Sequence, residues 1–318
     1  MSKLTISNRF YRLFLSTLLG LVISTTHSYG HTHDATRPDA HAPLSVMGDH
    51  THSKGEWMMS YRYMRMSMND LNTSFSGTGK EPLDMDMNMH MVGVMVAPSD
   101  VITLSVMAPY LSRSMTMKHM SNKMSSQTDG LGDPSVMALT KLFSRDGRQF
   151  HLNTGFSVPL GDINQKNSSV AFLPYGMQLG SGTVDMTLGG TYLQQLETWS
   201  YGAQLLTLTR LGTNSRDYRL GDRWQTSAWI AKPIRANVSI SSRLTALKWG
   251  DIEGQVSDDD RYVGGHSIEL GVGLNYLNKG LLSGHRLATE IVIPVYQALN
   301  GVQLKTDWKL VMGWQKAF

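Results

Sequence analysis

From Trp57 to Phe318 polar and apolar side chains alternate with a period of two, interrupted by turn-rich stretches. A helix would repeat near 3.6, so the pattern predicts strands throughout. The stretch DMDMNMHMVGVMVAPSD, Asp84 to Asp100, shows it best. Met85, Met87, Met89, Met91 and Met95 share one face, while the other begins with Asp84, Asp86, Asn88 and His90 and turns apolar at Val92, Val94 and Val96. The valines suit contact with lipid, and the methionines then point inward, as in a strand of a membrane barrel. APSD supplies a proline-containing turn into the next run.

Other runs repeat the pattern. Trp57, Met59, Tyr61 and Tyr63 oppose Met58, Ser60, Arg62, Met64, Met66 and Met68. From Val101 onward, Ile102, Leu104, Val106 and Tyr110 oppose Thr103, Ser105, Met107, Arg113, Met115 and Met117. Ile268, Leu270, Val272, Leu274 and Tyr276 oppose Glu269, Gly271, Gly273 and Asn275. Counted this way the chain predicts about 12 strands of roughly ten residues, the transmembrane β length. Connections alternate between short (APSD, SRDGR, ETWS, IRAN, NKGLLSG) and long (69 to 83, 118 to 134, 159 to 182, 212 to 221, 250 to 264), except that the last, Tyr296 to Val302, is short where a long one is due. Short periplasmic turns and long extracellular loops give that rhythm, whereas a soluble sandwich has no reason to. The expected fold is an all-β, antiparallel up-and-down barrel over residues 55–318, closed so that no strand edge meets lipid. The last strand ends on Phe318, as outer-membrane barrels do for the assembly machinery, although Lys316 stands where an apolar residue is usual.

Composition refines this picture. Residues 1–30 read as a cleaved signal peptide, with Lys3, Arg9 and Arg12 ahead of the apolar run Leu13 to Ile23 and a small-x-small site at Ser28-Tyr29-Gly30. That run is shorter than the roughly 20 residues a spanning helix needs. Its removal takes three of the 29 basic residues and none of the 25 acidic ones, so the mature chain is near neutral and nucleic-acid binding has no charge basis. Cysteine is absent, which suits passage through an oxidising compartment. The expected partners are outer-membrane lipid, the barrel assembly machinery and a small solute.

Residues 31–54 have no periodicity and carry His31, His33, His41, His50 and His52 of the chain's 11 histidines. They read as a flexible periplasmic segment, either a plain polar tail or a loose Cu(II), Ni(II) or Zn(II) site. Inward charges Arg62, Arg113, Arg243, Asp185, Glu269, Glu290, Lys305, Asp307 and Lys309 mix both signs, which favours ion pairing over a charge-selective pore.

Met64, Met66, Met68, Met85, Met87, Met89, Met115 and Met117 fall inward on three successive strands, near what should be the extracellular mouth, with His119 on the same face. Thioethers select Cu(I), so copper is one candidate cargo; they also make an adaptable lining for apolar solutes, or merely pack. No cofactor is required by either reading, and a structural barrel with a plugged lumen is the third alternative. His119-Met120-Ser121, with Asn122, resembles the His-x-Ser spacing of outer-membrane phospholipase, whose triad faces lipid; His119 falls on the lumen parity. With no Gly-x-Ser-x-Gly elbow and no phosphate loop, the chain is not expected to be an enzyme.

HAPLSVMGDHTHSKGEWMMSYRYMRMSM, the methionine ladder and GLGDPSVMAL together resemble outer-membrane transporter proteins of the putative MetA-pathway of phenol degradation family, from about His41 to Phe318. The resemblance implies a porin-like barrel of the bacterial outer membrane that moves hydrophobic or aromatic compounds.

Overall fold

The computed structural model describes residues 36–72, 81–119, 122–167, 171–255, 263–280 and 283–318. Its strands are β1 (Trp57–Leu71), β2 (Glu81–Val96), β3 (Ile102–His119), β4 (Asn122–Leu131), β5 (Ser135–Arg145), β6 (Arg148–Ser157), β7 (Val184–Gln195), β8 (Ser200–Leu211), β9 (Tyr218–Arg219), β10 (Arg223–Arg235), β11 (Val238–Trp249), β12 (Glu253–Gly254), β13 (Gly265–Leu277), β14 (His285–Leu299) and β15 (Leu304–Ala317). All pairings are antiparallel, and β1 pairs with both β2 and β15, so twelve strands close into a barrel. At the seam Trp57 and Phe318 exchange backbone hydrogen bonds of 3.2 and 2.8 Å, and their rings stack 4.0 Å apart.

Alternation decides the two faces. Val92, Val94, Leu188, Ile230, Ile240, Leu270, Val272, Ile291 and Ile293 lie exposed on the outer wall, while Thr103, Asn153, Thr191, Ser227, Ser239 and Glu290 are buried within it. Apolar outside and polar inside is the inverse of a soluble protein, and lipid is the solvent that favours it. The short turns match their chemistry: in the two-residue turn between β5 and β6, Asp146 and Gly147 both take positive φ, 55° and 71°, the conformation that hairpin twist demands and Asp-Gly tolerates.

Two expectations about connections change. The stretch 118–134 is not an open loop: β3 runs on to His119 and β4 returns beside it, with Met117 opposite Met124 and Met115 opposite Ser126. Because β6 pairs with β5 only as far as Ser135 opposite Ser157, the outer edge of β4 carries no strand partner among the described residues. The described parts of the connection 158–183 occupy that side of the wall and fold inward, anchored by Asp133, which accepts from the Gly161 and Ser181 amides at 2.8 and 2.7 Å.

The segment 31–54, expected to be a flexible periplasmic tail, is from Arg37 to His52 packed inside the barrel. Pro38 O accepts from Ser239, Asp39 O from Ser200, Ala42 O from Arg286, Met47 O from Gln204 and Gly48 O from His151, while Ser45 N donates to Glu290 and His52 N to Thr103. These partners come from strands all round the wall, so the segment can only lie in the lumen, and they cluster at the turn end. It plugs the half of the lumen that carries the short turns. The signal-peptide reading of residues 1–30, and His31 and His33, lie outside the described residues.

Candidate functional site

The lumen has two halves of different chemistry. In the outer half the methionine registers come out as the alternation requires: Met64 pairs with Met89, Met66 with Met87 and Met68 with Met85 across β1 and β2, and Met85 with Met115 across β2 and β3. Directly opposed residues in a sheet stand about 4.5–5.5 Å apart, so one continuous thioether patch covers three strands. Met85, Met115 and Met117 are buried against Leu173 and Met177, with Met68 and Leu304 packed at the margin. Leu173 and Met177 come from the inward-folded connection 158–183. The methionines were expected to line the mouth, and the described part of this connection covers the centre of their patch. Arg113 holds the cover through Gly176 O at 2.7 Å and Gln178 O, and Thr128 through Met177 O at 2.9 Å. The backbone of His119 ends β3 opposite Asn122; its side chain, Met120 and Ser121 lie outside what is described.

A belt of charge separates this patch from the plug. Arg243 Nε donates to Glu290 at 2.8 Å, Lys309 Nζ to Glu269 at 2.6 Å, and Arg210 pairs with Asp185. Arg62 contacts the sulfur of Met47 in the plug, while Asp307, expected among the inward charges, accepts from the exposed Asn69 at 2.5 Å near the end of β1, outside this belt. Asp185, Glu269 and Glu290 are therefore ion-paired, in line with the mixed signs, whereas Arg62 and Arg113 contact the plug and the 158–183 connection instead. Arg286 and Arg210 escaped the sequence reading, although Arg286 shares the inward parity of β14 with Glu290 four residues on.

Within the plug, His41, Asp49 and His50 come together, with His52 beside them. His41 Nδ1 faces His50 Nδ1 across 3.3 Å, His50 Nδ1 contacts Asp49 Oδ1 at 2.8 Å, and the His50 and His52 ring centres are 4.9 Å apart. Burial alone would raise the Asp49 carboxyl, but attraction and hydrogen bonding to His50, with His41 and Arg286 nearby, hold it far below the ordinary carboxylate range. Burial, and the His50 ring beside it, push His52 down to about 4 despite Glu56 and Asp49.

A cavity-like groove lined by Tyr61, Tyr63, His90, Leu274, Tyr276, Met312 and Trp314 lies on the outer wall. These residues carry the lipid-facing parity, so the groove is part of the membrane surface rather than a lumenal pocket.

Comparison with known proteins agrees with this architecture. The family model described as "Putative MetA-pathway of phenol degradation" matches residues 89–288. No curated protein matches the sequence. Among solved structures, an outer membrane channel from Pseudomonas putida F1 superposes with a TM-score of 0.66 at 12% identity, covering 86% of this chain and 100% of its own. A deltaS2 mutant of the TodX monoaromatic hydrocarbon channel gives 0.49 at 9% identity, covering 84% of this chain and 91% of its own. A Pseudomonas aeruginosa FadL homologue gives 0.42 at 9% identity, covering 83% and 90%. The apolar outer wall of the closed barrel locates the protein in the bacterial outer membrane.

Proposed function

The chain belongs to the family described as putative MetA-pathway of phenol degradation, and from that membership and its two-sided lumen we propose that it passes small apolar solutes, aromatic ones included, through the methionine-lined outer half. One observation carries the reading: a contiguous apolar patch of Met68, Met85, Met115, Met117, Met177 and Leu173 in the half of the lumen away from the plug, distinct from the apolar clusters around Trp229 and Leu139 that pack at the plug. Thioethers are polarisable and unbranched, contact aromatic rings favourably and reshape around different solutes. A sugar or ion gains nothing from such a surface.

The route beyond the patch follows from what blocks it. The plug fills the half that carries the short turns, so a solute held at the methionines meets packed backbone below it. Sideways it meets the partnerless edge of β4 and the connection 158–183, where Leu131, Leu160 and Phe172 are 61%, 65% and 48% exposed. Exit through that side of the wall into lipid suits an apolar solute and leaves the plug in place. Copper passage on the same methionines would depend on sulfur itself, and a purely structural barrel would pass nothing. Uptake of labelled toluene by cells whose own hydrophobic channels have been removed, with and without this barrel, tests the reading against a sugar of similar size. Faster toluene entry with unchanged sugar entry supports it.

A further inference from the structure

The plug carries chemistry that the solute route does not use. His41 Nδ1, His50 Nδ1 and an Asp49 oxygen lie within 4.8 Å of one another, and Asp49 and His50 are buried. We propose that His41, Asp49 and His50 bind one divalent transition-metal ion of the zinc or copper(II) class, which staples the turn between them inside the lumen.

The donor set fits that class. Two imidazoles and a carboxylate are ordinary zinc ligands and suit Cu(II) and Ni(II), whereas Cu(I) prefers the thioethers of the other half. Nitrogen ligands about 2.0–2.1 Å from a tetrahedral ion stand about 3.3–3.4 Å apart, and His41 Nδ1 and His50 Nδ1 are 3.3 Å apart. A shared ring proton can bridge these nitrogens and the carboxylate, but a metal ion accepts all three lone pairs at once. The carboxylate is already aimed, since Asp49 Oδ2 accepts the Ala42 amide at 3.0 Å, the kind of outer support that orients a ligand.

The position of the ligands gives the ion a consequence. Ala42 O, Ser45 N, Met47 O and Gly48 O make the plug's contacts with Arg286, Glu290, Gln204 and His151. All four lie between His41 and Asp49 in sequence, so an ion at the two ends of this turn closes it as a loop and fixes every one of those contacts.

The test is zinc titration by calorimetry of the full barrel, purified without a polyhistidine tag, alongside protease cleavage within residues 36–53. Wild type should bind one zinc equivalent and become resistant to cleavage. His41→Gln and His50→Gln should each weaken binding at least tenfold and lose the zinc-dependent protection, while changing His31 and His33 to Gln leaves both intact. Should His50→Gln fail to fold, His41→Gln, at the more exposed edge of the trio, decides alone. No binding of zinc or Cu(II) by wild type, or wild-type affinity in folded His41→Gln, overturns the proposal.

Discussion

Glu290 uses its two oxygens for two different parts of the molecule: Oε1 accepts from Arg243 Nε at 2.8 Å, and Oε2 accepts the Ser45 amide of the plug at 2.8 Å. Both charged side chains are nearly inaccessible, at 3% and 0%. The carboxylate therefore neutralises an arginine of the wall and fastens the plug in one arrangement. Glu290→Ala leaves Arg243 buried and unpaired, which costs about 3–5 kcal/mol, and frees Ser45. The expected result is a lower unfolding midpoint together with protease cleavage in residues 36–53. Glu290→Gln keeps the hydrogen-bonding shape and should fall between the two.

Gly271 tests the same anchor without touching a charge. A Cβ at this position would run into Glu290 Oε1 and press on Arg243 Nη2, so the glycine provides the room in which the pair sits. Overpacking of this kind costs about 1–3 kcal/mol. Gly271→Ala should loosen the plug as Glu290→Gln does, read by the same cleavage assay, whereas Gly280→Ala, whose new Cβ would meet only Asn278 Oδ1 at an ordinary 3.5 Å, should not expose the plug.

Asp133 plays the corresponding part at the outer half. It accepts from the Gly161 amide, the Ser181 amide and the Ser181 hydroxyl at 2.8, 2.7 and 3.0 Å. Asp133→Ala removes three contacts, the charge-assisted ones worth roughly 1.5–3 kcal/mol each, and should unlatch the connection 158–183 without disturbing the strands. Cleavage in that connection should rise while the barrel's gel migration stays native.

The strands were legible because their signal is local. Each side chain's face depends only on its neighbours two residues away, so Met85 through Val96 could be sided without knowing anything else. The same arithmetic put Met64, Met66 and Met68 on neighbouring inward faces with Met85, Met87 and Met89, but which methionine opposes which is set by the register between β1 and β2. The plug was not legible. Residues 38 to 48 are held by backbone contacts to strands up to 245 positions away, as between Ser45 and Glu290, and an aperiodic segment shows nothing of such partners. For the same reason the burial of Met85 and Met115 beneath Leu173 and Met177 was invisible: it depends on a connection folding inward rather than on the strand that carries the methionines. The hairpin of β3 and β4 was missed because Met117 and Met124 alternate among serines and lysines, which read equally well as a polar loop.

The most direct measurement of the account is toluene uptake by cells carrying wild type, a barrel with Met85, Met87, Met115 and Met117 changed to Leu, and a barrel with the same four changed to Gln. Leucine keeps the apolar volume and removes sulfur, whereas glutamine keeps the length and removes the apolarity. With surface levels matched, the account predicts near wild-type uptake for the leucine barrel and a severalfold loss for the glutamine barrel. Equal uptake by all three, or loss in the leucine barrel as severe as in the glutamine one, would contradict it, the latter by showing that sulfur itself is what the lumen requires.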